Sequence, residues 1–323
     1  MMPELQKLEP MLAKLGSVKD LSRKYFIYEP YLGGTRALVY KSGDHIRILN
    51  RKGMWIEFRY PELLELVKNI DAKSAVIDGE IIVLDAKGAR SYAKLEMREH
   101  LSGALEIETK SKESPATFVA FDVLMRNNRW YTDRPLYERK KVLDETVRDN
   151  AIVKKSQWSR SGTELFREAK KKKLEGVVGK NINSRYEEGK RSGNWIKIQA
   201  EKTLDCVVVG WKEGKKPGFM GSLALGIYKD LHLYYIGTIG GFSDEFAKIW
   251  QPRLNYLHQK KPPVRNTPEN WEGQGYHWLK PSLVCEIEFS DLVKMELKGA
   301  VFRRMRSDKE PQSCTLGEQV RAK

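Results

Sequence analysis

The chain has 323 residues, 58 Lys plus Arg against 43 Asp plus Glu, a formal net charge of +15 and 41% hydrophobic residues. That length suggests about two domains, and the apolar fraction is enough for a core in each, which excludes a disordered or collagen-like chain. No apolar run approaches the roughly 18 residues that span a bilayer. The mixed charges from Met1 to Lys7 offer no apolar leader, so a cytoplasmic location is expected. Residues 203–323 contribute +4 and the first 202 contribute +11. A basic excess of this kind points to a polyanionic partner, because neutralising phosphates releases condensed counterions. Cys206, Cys285 and Cys314 are widely spaced with no CxxC pair, which argues for buried thiols over disulfides or a zinc knuckle.

In chain order, alternating apolar residues predict short strands at 26–28, 36–40, 45–49, 74–84, 117–124, 176–180 and 195–198. Helical periodicity occurs at 61–70, 136–147 and 164–173, the last preceded by Ser161, Gly162 and Thr163 as an N-cap. Strands and helices do not alternate regularly, so an α+β fold of largely antiparallel sheets is expected rather than a doubly wound parallel sheet. Beyond residue 202 the pattern becomes strands only, at 205–211, 222–228, 232–236 and 283–289. Gly214, Gly218, Gly221, Gly237, Gly240 and Gly241 separate them. This suits a small all-β barrel of the OB type. The expected domains are therefore 1–202 and 203–323, with 260–268 as an exposed connecting loop. The five histidines show no metal-ligand spacing, and Lys170 to Lys173 read as a solvated helix end. Lys212, Lys215 and Lys216, with Phe219, offer a surface that could track a phosphate backbone.

Charged residues recur at the ends of the predicted strands, where a rigid sheet can hold them around a ligand. Glu29 and Arg36 flank Gly33-Gly34, Arg51 precedes Lys52-Gly53, and Asp78-Gly79-Glu80 interrupts an apolar strand. Phe121-Asp122, Glu175 to Lys180, Trp195-Ile196-Lys197 and Arg306-Ser307-Asp308-Lys309 follow. Taken together and in this order, they resemble the motifs of the covalent nucleotidyltransferase superfamily, and specifically of ATP-dependent DNA ligases in a minimal two-domain form. The resemblance covers nearly the whole chain. It implies an adenylation (nucleotidyltransferase) domain followed by an OB-fold domain, with ATP, carried as AMP, and Mg²⁺ as cofactors. The implied partner is nicked double-stranded DNA, sealed through enzyme-AMP and DNA-adenylate intermediates by a monomer.

The resemblance also implies roles for individual residues. Lys180, Lys197 and Lys309 would neutralise phosphate oxygens. Glu175 and Glu80 would supply carboxylate oxygen to a metal, and Glu80 would also reach the ribose hydroxyl. Phe121 would stack on adenine, Arg36 and Arg51 would reach ribose or phosphate, and Glu29 would line the nucleotide site. Arg306, Asp308 and Lys309 would orient pyrophosphate. Against the motif pattern EPKLDGTR, however, Tyr31 stands where the lysine nucleophile belongs and Gly33 where an aspartate belongs, while Gln199 replaces a second lysine of the fifth motif. Lys24 is seven residues out of register, so no substitute lysine is evident. A tyrosine phenol, with an ordinary pKa of about 10 and a stiff ring, is a poor stand-in for an activated amine. The chain as written is therefore expected to fail at self-adenylation. The alternatives are an RNA-capping guanylyltransferase, which shares most of these motifs, and a non-catalytic nick-binding protein.

Overall fold

A computed structural model describes residues 7–214, 218–289 and 291–319. Lys215 and Lys216 of the proposed phosphate-tracking surface lie outside these residues. The chain forms two compact units, Met1–Glu201 and Lys202–Lys323.

The first unit is a pair of sheets with helices on their outer faces. The strands are β1 (Leu12–Leu15), β2 (Phe26–Tyr31), β3 (Thr35–Ser42), β4 (His45–Asn50), β5 (Ser74–Val83), β6 (Ala116–Arg126), β7 (Arg129–Trp130), β8 (Val153–Lys155), β9 (Gly176–Asn181) and β10 (Arg191–Gln199). The helices are α1 (Tyr92–His100), α2 (Ala104–Glu113), α3 (Leu136–Thr146) and α4 (Gly162–Lys171), with a 3-10 segment at Pro61–Lys68. One sheet has the order β1-β10-β9-β2. The other runs β4-β3-β5-β6-β7, and β8 adds to it in parallel beside β6. Alternation assigns each side chain a face. On the four-stranded sheet Tyr28, Val177, Ile196 and Ile198 pack outward with Phe166 and Ala169 of α4. On the larger sheet Ala37, Val39, Ile48, Ile77 and Phe118 pack outward with Leu63, Leu66 and Leu143. Between the sheets, Leu38, Tyr40, Val76, Phe121 and Leu124 meet Tyr186 and Trp195. This inner layer holds most of the chemistry-bearing side chains.

The expected strands of this unit are all present, and Ser161 caps α4 by accepting the Glu164 amide. The 61–70 segment is a 3-10 rather than an α-helix, begun by Pro61. Both α1 and α2 have weak apolar periodicity and gave no sequence signal.

The second unit comprises β11 (Thr203–Glu213), β12 (Met220–Lys229), β13 (His232–Gly240), β14 (Tyr276–Glu288), β15 (Asp291–Val293), β16 (Glu296–Lys298) and β17 (Val301–Met305), with α5 (Asp244–Tyr256) and the short α6 (Leu316–Gln319). Its main sheet has the order β13-β12-β11-β14-β17, and β15 pairs with β16. This is an OB-fold-type all-β domain. The strands-only expectation is corrected in one respect: α5 fills 13 residues and buries Trp250 and Leu254 in the core formed by Leu223, Leu225, Ile236 and Ile287. Pro252 lies inside that helix, where proline usually disrupts, which is why the segment did not read as helical. All three cysteines are buried and free.

The inner edge of α3 is fixed by charge. Arg139 donates Nε and Nη2 to the two oxygens of Asp122 on β6, each at 2.9 Å, with both side chains fully buried. Its Nη1 also donates to the Ser184 carbonyl at 2.9 Å. Because the partner carboxylate would stay buried and unpaired, Arg139→Ala should lower unfolding stability by about 3–5 kcal/mol. Urea titration of the whole chain is the measurement.

Candidate active site

The face of the four-stranded sheet that looks into the inter-sheet layer can be read row by row. Antiparallel partners lie directly opposite and share a face. Trp195, Lys180 and Ile27 form one row; Lys197, Val178 and Glu29 form the next; Gln199, Gly176 and Tyr31 form the third. Gly176 has φ +135° and a Cβ there would lie 2.0 Å from the Ile198 carbonyl oxygen, so the row between Tyr31 and Gln199 admits only glycine. Two of the three departures from the motif pattern thus flank one backbone position. The Lys197 amine lies 5.9 Å from the centre of the Tyr31 ring.

Glu29 is buried and accepts from Lys180 at 2.9 Å, and it also pairs with Lys140 of α3. Burial alone would raise the Glu29 carboxyl, but the two ammonium groups outweigh it and hold it below the ordinary carboxylate range. Burial pushes the Lys180 amine down to about 8, although Glu29 pulls the other way. In the structure the Lys180 amine is engaged by Glu29 and packed 4.0 Å from the Phe121 ring centre and 4.2 Å from that of Trp195.

Phe121 is likewise not an open stacking face. It belongs to the inter-sheet core, meets Trp195 edge-on at 6.0 Å, and has the Arg36 guanidinium 4.6 Å from its centre as well as Lys180. Arg36 donates Nε and Nη2 to Asp78, each at 2.6 Å, and Asp78 also accepts from Tyr186 Oη at 2.7 Å. Burial raises the Tyr186 phenol, and the Asp78 charge raises it further. Glu80, half-buried, lies directly across from Arg36 on β5. Arg51 occupies the turn after β4.

Gly33 and Glu175 form a second cluster. Gly33 has φ +64°, and a Cβ there would lie 2.6 Å from Glu175 Cγ, 3.0 Å from Tyr92 Oη and 3.2 Å from Arg90 Nη1. Tyr92 donates its hydroxyl to Glu175, and Arg90 Nη2 lies 3.9 Å from the same oxygen. Glu175 is thus a poor fit for the expected metal ligand, because a phenol and a guanidinium already face its Oε1. Among the described residues no group of three His, Cys, Asp or Glu side chains could hold an ion. In the second unit, Arg306 donates to both oxygens of Asp308 at 2.7 and 2.8 Å and to Asp205 at 3.0 Å, and Lys309 also binds Asp205. The Asp308 and Asp205 charges drive the Arg306 guanidinium well above its ordinary value against its burial.

The structure brings together Glu29, Tyr31, Arg36, Glu80, Phe121, Glu175, Lys180, Lys197 and Gln199 in one unit, and Arg306, Asp308 and Lys309 in the other. Sequence reasoning missed Lys140, Tyr186, Arg90 and Tyr92. The first two are reached only through long-range packing, and Lys140 reads as an ordinary helix lysine.

This architecture, a nucleotidyltransferase unit of two packed sheets followed by an OB-type unit, has counterparts among known proteins. Residues 10–199 match the ATP dependent DNA ligase domain and residues 216–309 the ATP dependent DNA ligase C terminal region. The chain belongs to the ATP-dependent DNA ligase family, a family of enzymes. It is 29% identical to DNA ligase C1 of Mycolicibacterium smegmatis, over 98% of this chain and 95% of that protein. It is 30% identical to DNA ligase 2 of Methanosarcina acetivorans over 89% of this chain and 53% of that one. Against the multifunctional non-homologous end joining protein LigD of M. smegmatis it is 28% identical over 94% of its own length but spans only 39% of the relative. The solved structure of mycobacterial DNA ligase D complexed with ATP and MES superposes with a TM-score of 0.70 at 26% identity, covering 99% of this chain and all of that one.

Removing the Glu29 carboxylate would leave two buried ammonium groups unpaired. Glu29→Gln should therefore cost about 3–5 kcal/mol at pH 7. Because the folded carboxyl titrates below its unfolded value, the stabilisation is complete above the ordinary carboxylate range and is lost as pH falls through the folded value. Denaturant titrations of both proteins should converge as the solution is acidified.

Proposed function

We propose that this chain is a DNA ligase-type protein that binds ATP and nicked duplex DNA on the inter-sheet face of its first unit, and that it does not carry AMP covalently. The observation that supports this is the shared row of Tyr31, Gly176 and Gln199. In the reaction the resemblance implies, a lysine amine forms a P–N bond to the α-phosphorus as the bond to pyrophosphate breaks. Tyr31 stands at the carrier position and supplies no amine. Gln199 supplies no charge at the neighbouring position, and loss of one such electrostatic contact costs about 10²- to 10³-fold in rate.

The remaining assignments follow from placement. Lys197, its amine 5.9 Å from the centre of the Tyr31 ring, is suited to a phosphate oxygen. Arg36 and Arg51 face the sugar and the phosphate of nucleotide or nick, and Glu80 the ribose. Since Phe121 is covered, adenine would stack there only after Arg36 moves off its ring. Arg306, tied to Asp308 and Asp205, and Lys309, tied to Asp205, would have to break those ion pairs to meet pyrophosphate. Magnesium would arrive on the phosphates of ATP rather than on a prebuilt carboxylate cage. The protein acts as a monomer.

A non-catalytic nick-binding protein is the second reading, favoured by the same row. The relatives named above are DNA ligases and end-joining proteins, which favours either reading over RNA-capping guanylyltransfer.

Intact mass after incubation with ATP and Mg²⁺ should show no AMP adduct, and a stoichiometric adduct would overturn the assignment of Tyr31. In Tyr31→Lys/Gln199→Lys, an adduct with ATP would trace the defect to these two positions, whereas none would favour the nick-binding reading. Binding of nicked duplex by the unaltered chain should weaken linearly in log–log form as salt rises.

Restoring aspartate at position 33 has a separate cost. Gly33→Asp places a Cβ 2.6 Å from Glu175 Cγ at φ +64°, a conformation that costs about 1–3 kcal/mol for a non-glycine residue. Thermal unfolding should register the loss as a lower Tm.

A further inference from the structure

We infer that Arg90 is a built-in cation at Glu175, occupying the place a divalent ion would take on that carboxylate, so that this pocket meets phosphate oxygen with a guanidinium. The proposal rests on the nucleotide-site reading only for the phosphate it would meet; the exclusion of metal stands on geometry. Arg90 lies between β5 and α1, and its side chain and that of Glu175 are each only 7% exposed. The guanidinium is stacked 4.4 Å from the centre of the Tyr92 ring, while Nη2 donates to the Lys173 carbonyl at 3.3 Å. Tyr92 in turn donates to Glu175. The position of Arg90 is thus held by an aromatic face, a backbone oxygen and a carboxylate. Yet its Nε and Nη1 are buried with no hydrogen-bond partner. Unsatisfied buried donors on a charged group are costly, and an anion that reached them would offset that cost.

The same geometry disfavours a metal. Mg²⁺ binds carboxylate oxygen at about 2.1 Å, and with Arg90 Nη2 3.9 Å from that Glu175 oxygen the ion would stand no more than about 6 Å from a fixed positive charge. At such a distance in a water-poor site the two cations repel strongly. Glycine at position 33 belongs to the arrangement, because a side chain there would collide with Glu175, Tyr92 and Arg90.

Mn²⁺ titration of the whole chain without nucleotide, followed by electron paramagnetic resonance, tests the inference. Leaving nucleotide out keeps the result readable even if ATP binding proves absent. The unaltered chain should bind no Mn²⁺ that depends on Glu175. Arg90→Gln should gain one site, which Arg90→Gln/Glu175→Gln abolishes. Arg90→Lys, which keeps the charge, should behave as the unaltered chain. If circular dichroism shows that Arg90→Gln does not fold, Arg90→Met replaces it. A Mn²⁺ site in the unaltered chain that Glu175→Gln removes would overturn the inference, and so would a folded neutral variant that gains no site.

Discussion

The first unit depends on one constraint: every carboxylate taken into the layer between its sheets must be matched by a cation. Glu29 is held by Lys140 and Lys180, Asp78 by Arg36 with Tyr186, and Asp122 by Arg139. Each pair joins elements distant in sequence. Glu29 ties β2 to β9 and α3, Asp122 ties β6 to α3, and the Asp78–Tyr186 bond links the two sheets. Such pairs add little net stability over a well-packed apolar alternative, but breaking one is expensive. Their effect is therefore specificity of arrangement, because a shifted register would bury an uncompensated charge.

That constraint also governs what the inner face can offer a ligand. Lys180 and Arg36 are spent on Glu29 and Asp78, and both crowd the ring of Phe121. Lys197 lies one row away, beside Tyr31. Charge that looks abundant along the chain is thus largely committed internally, and the same holds in the second unit, where Arg306 and Lys309 are engaged by Asp205 and Asp308. On the reading proposed above, ligand binding at these residues would be an exchange of ion pairs rather than the filling of an open charged cavity.

Much of this was legible in the sequence. Strands such as Ser74–Val83 and Gly176–Asn181 announced themselves through alternating apolar residues, and the motif order singled out charged residues, among them Glu29, Arg36 and Lys180, that the structure gathers in the first unit. What stayed hidden has physical reasons. Helix α5 contains Pro252, so local propensity argued against the packing that tertiary contacts impose. Lys140 reads as an ordinary lysine of a predicted helix, and nothing local says that its amine is buried on Glu29. Tyr92 and Arg90 meet Glu175 across more than 80 residues, a contact no local pattern encodes. The covered state of Phe121 depends on three strands at once.

Two of the three positions that differ from the motif pattern, Tyr31 and Gln199, share a row, and the third, Gly33, belongs to the Glu175 cluster. Tyr31 and Gln199 face each other across a glycine that no other residue can replace, so a change in the bulk or charge of one alters the surroundings of the other. Gly33 leaves room for the close packing of Glu175, Tyr92 and Arg90, and an aspartate there would add a second carboxylate and steric overlap where one carboxylate is already matched by a guanidinium and a phenol. Replacing one residue at a time would therefore pass through states with an unmatched charge or a collision. The pocket is internally consistent as it stands: on the reading proposed above, an aromatic ring and a closed ion pair stand where the motif pattern has an amine and a carboxylate, while the sheets that frame it keep the family's architecture.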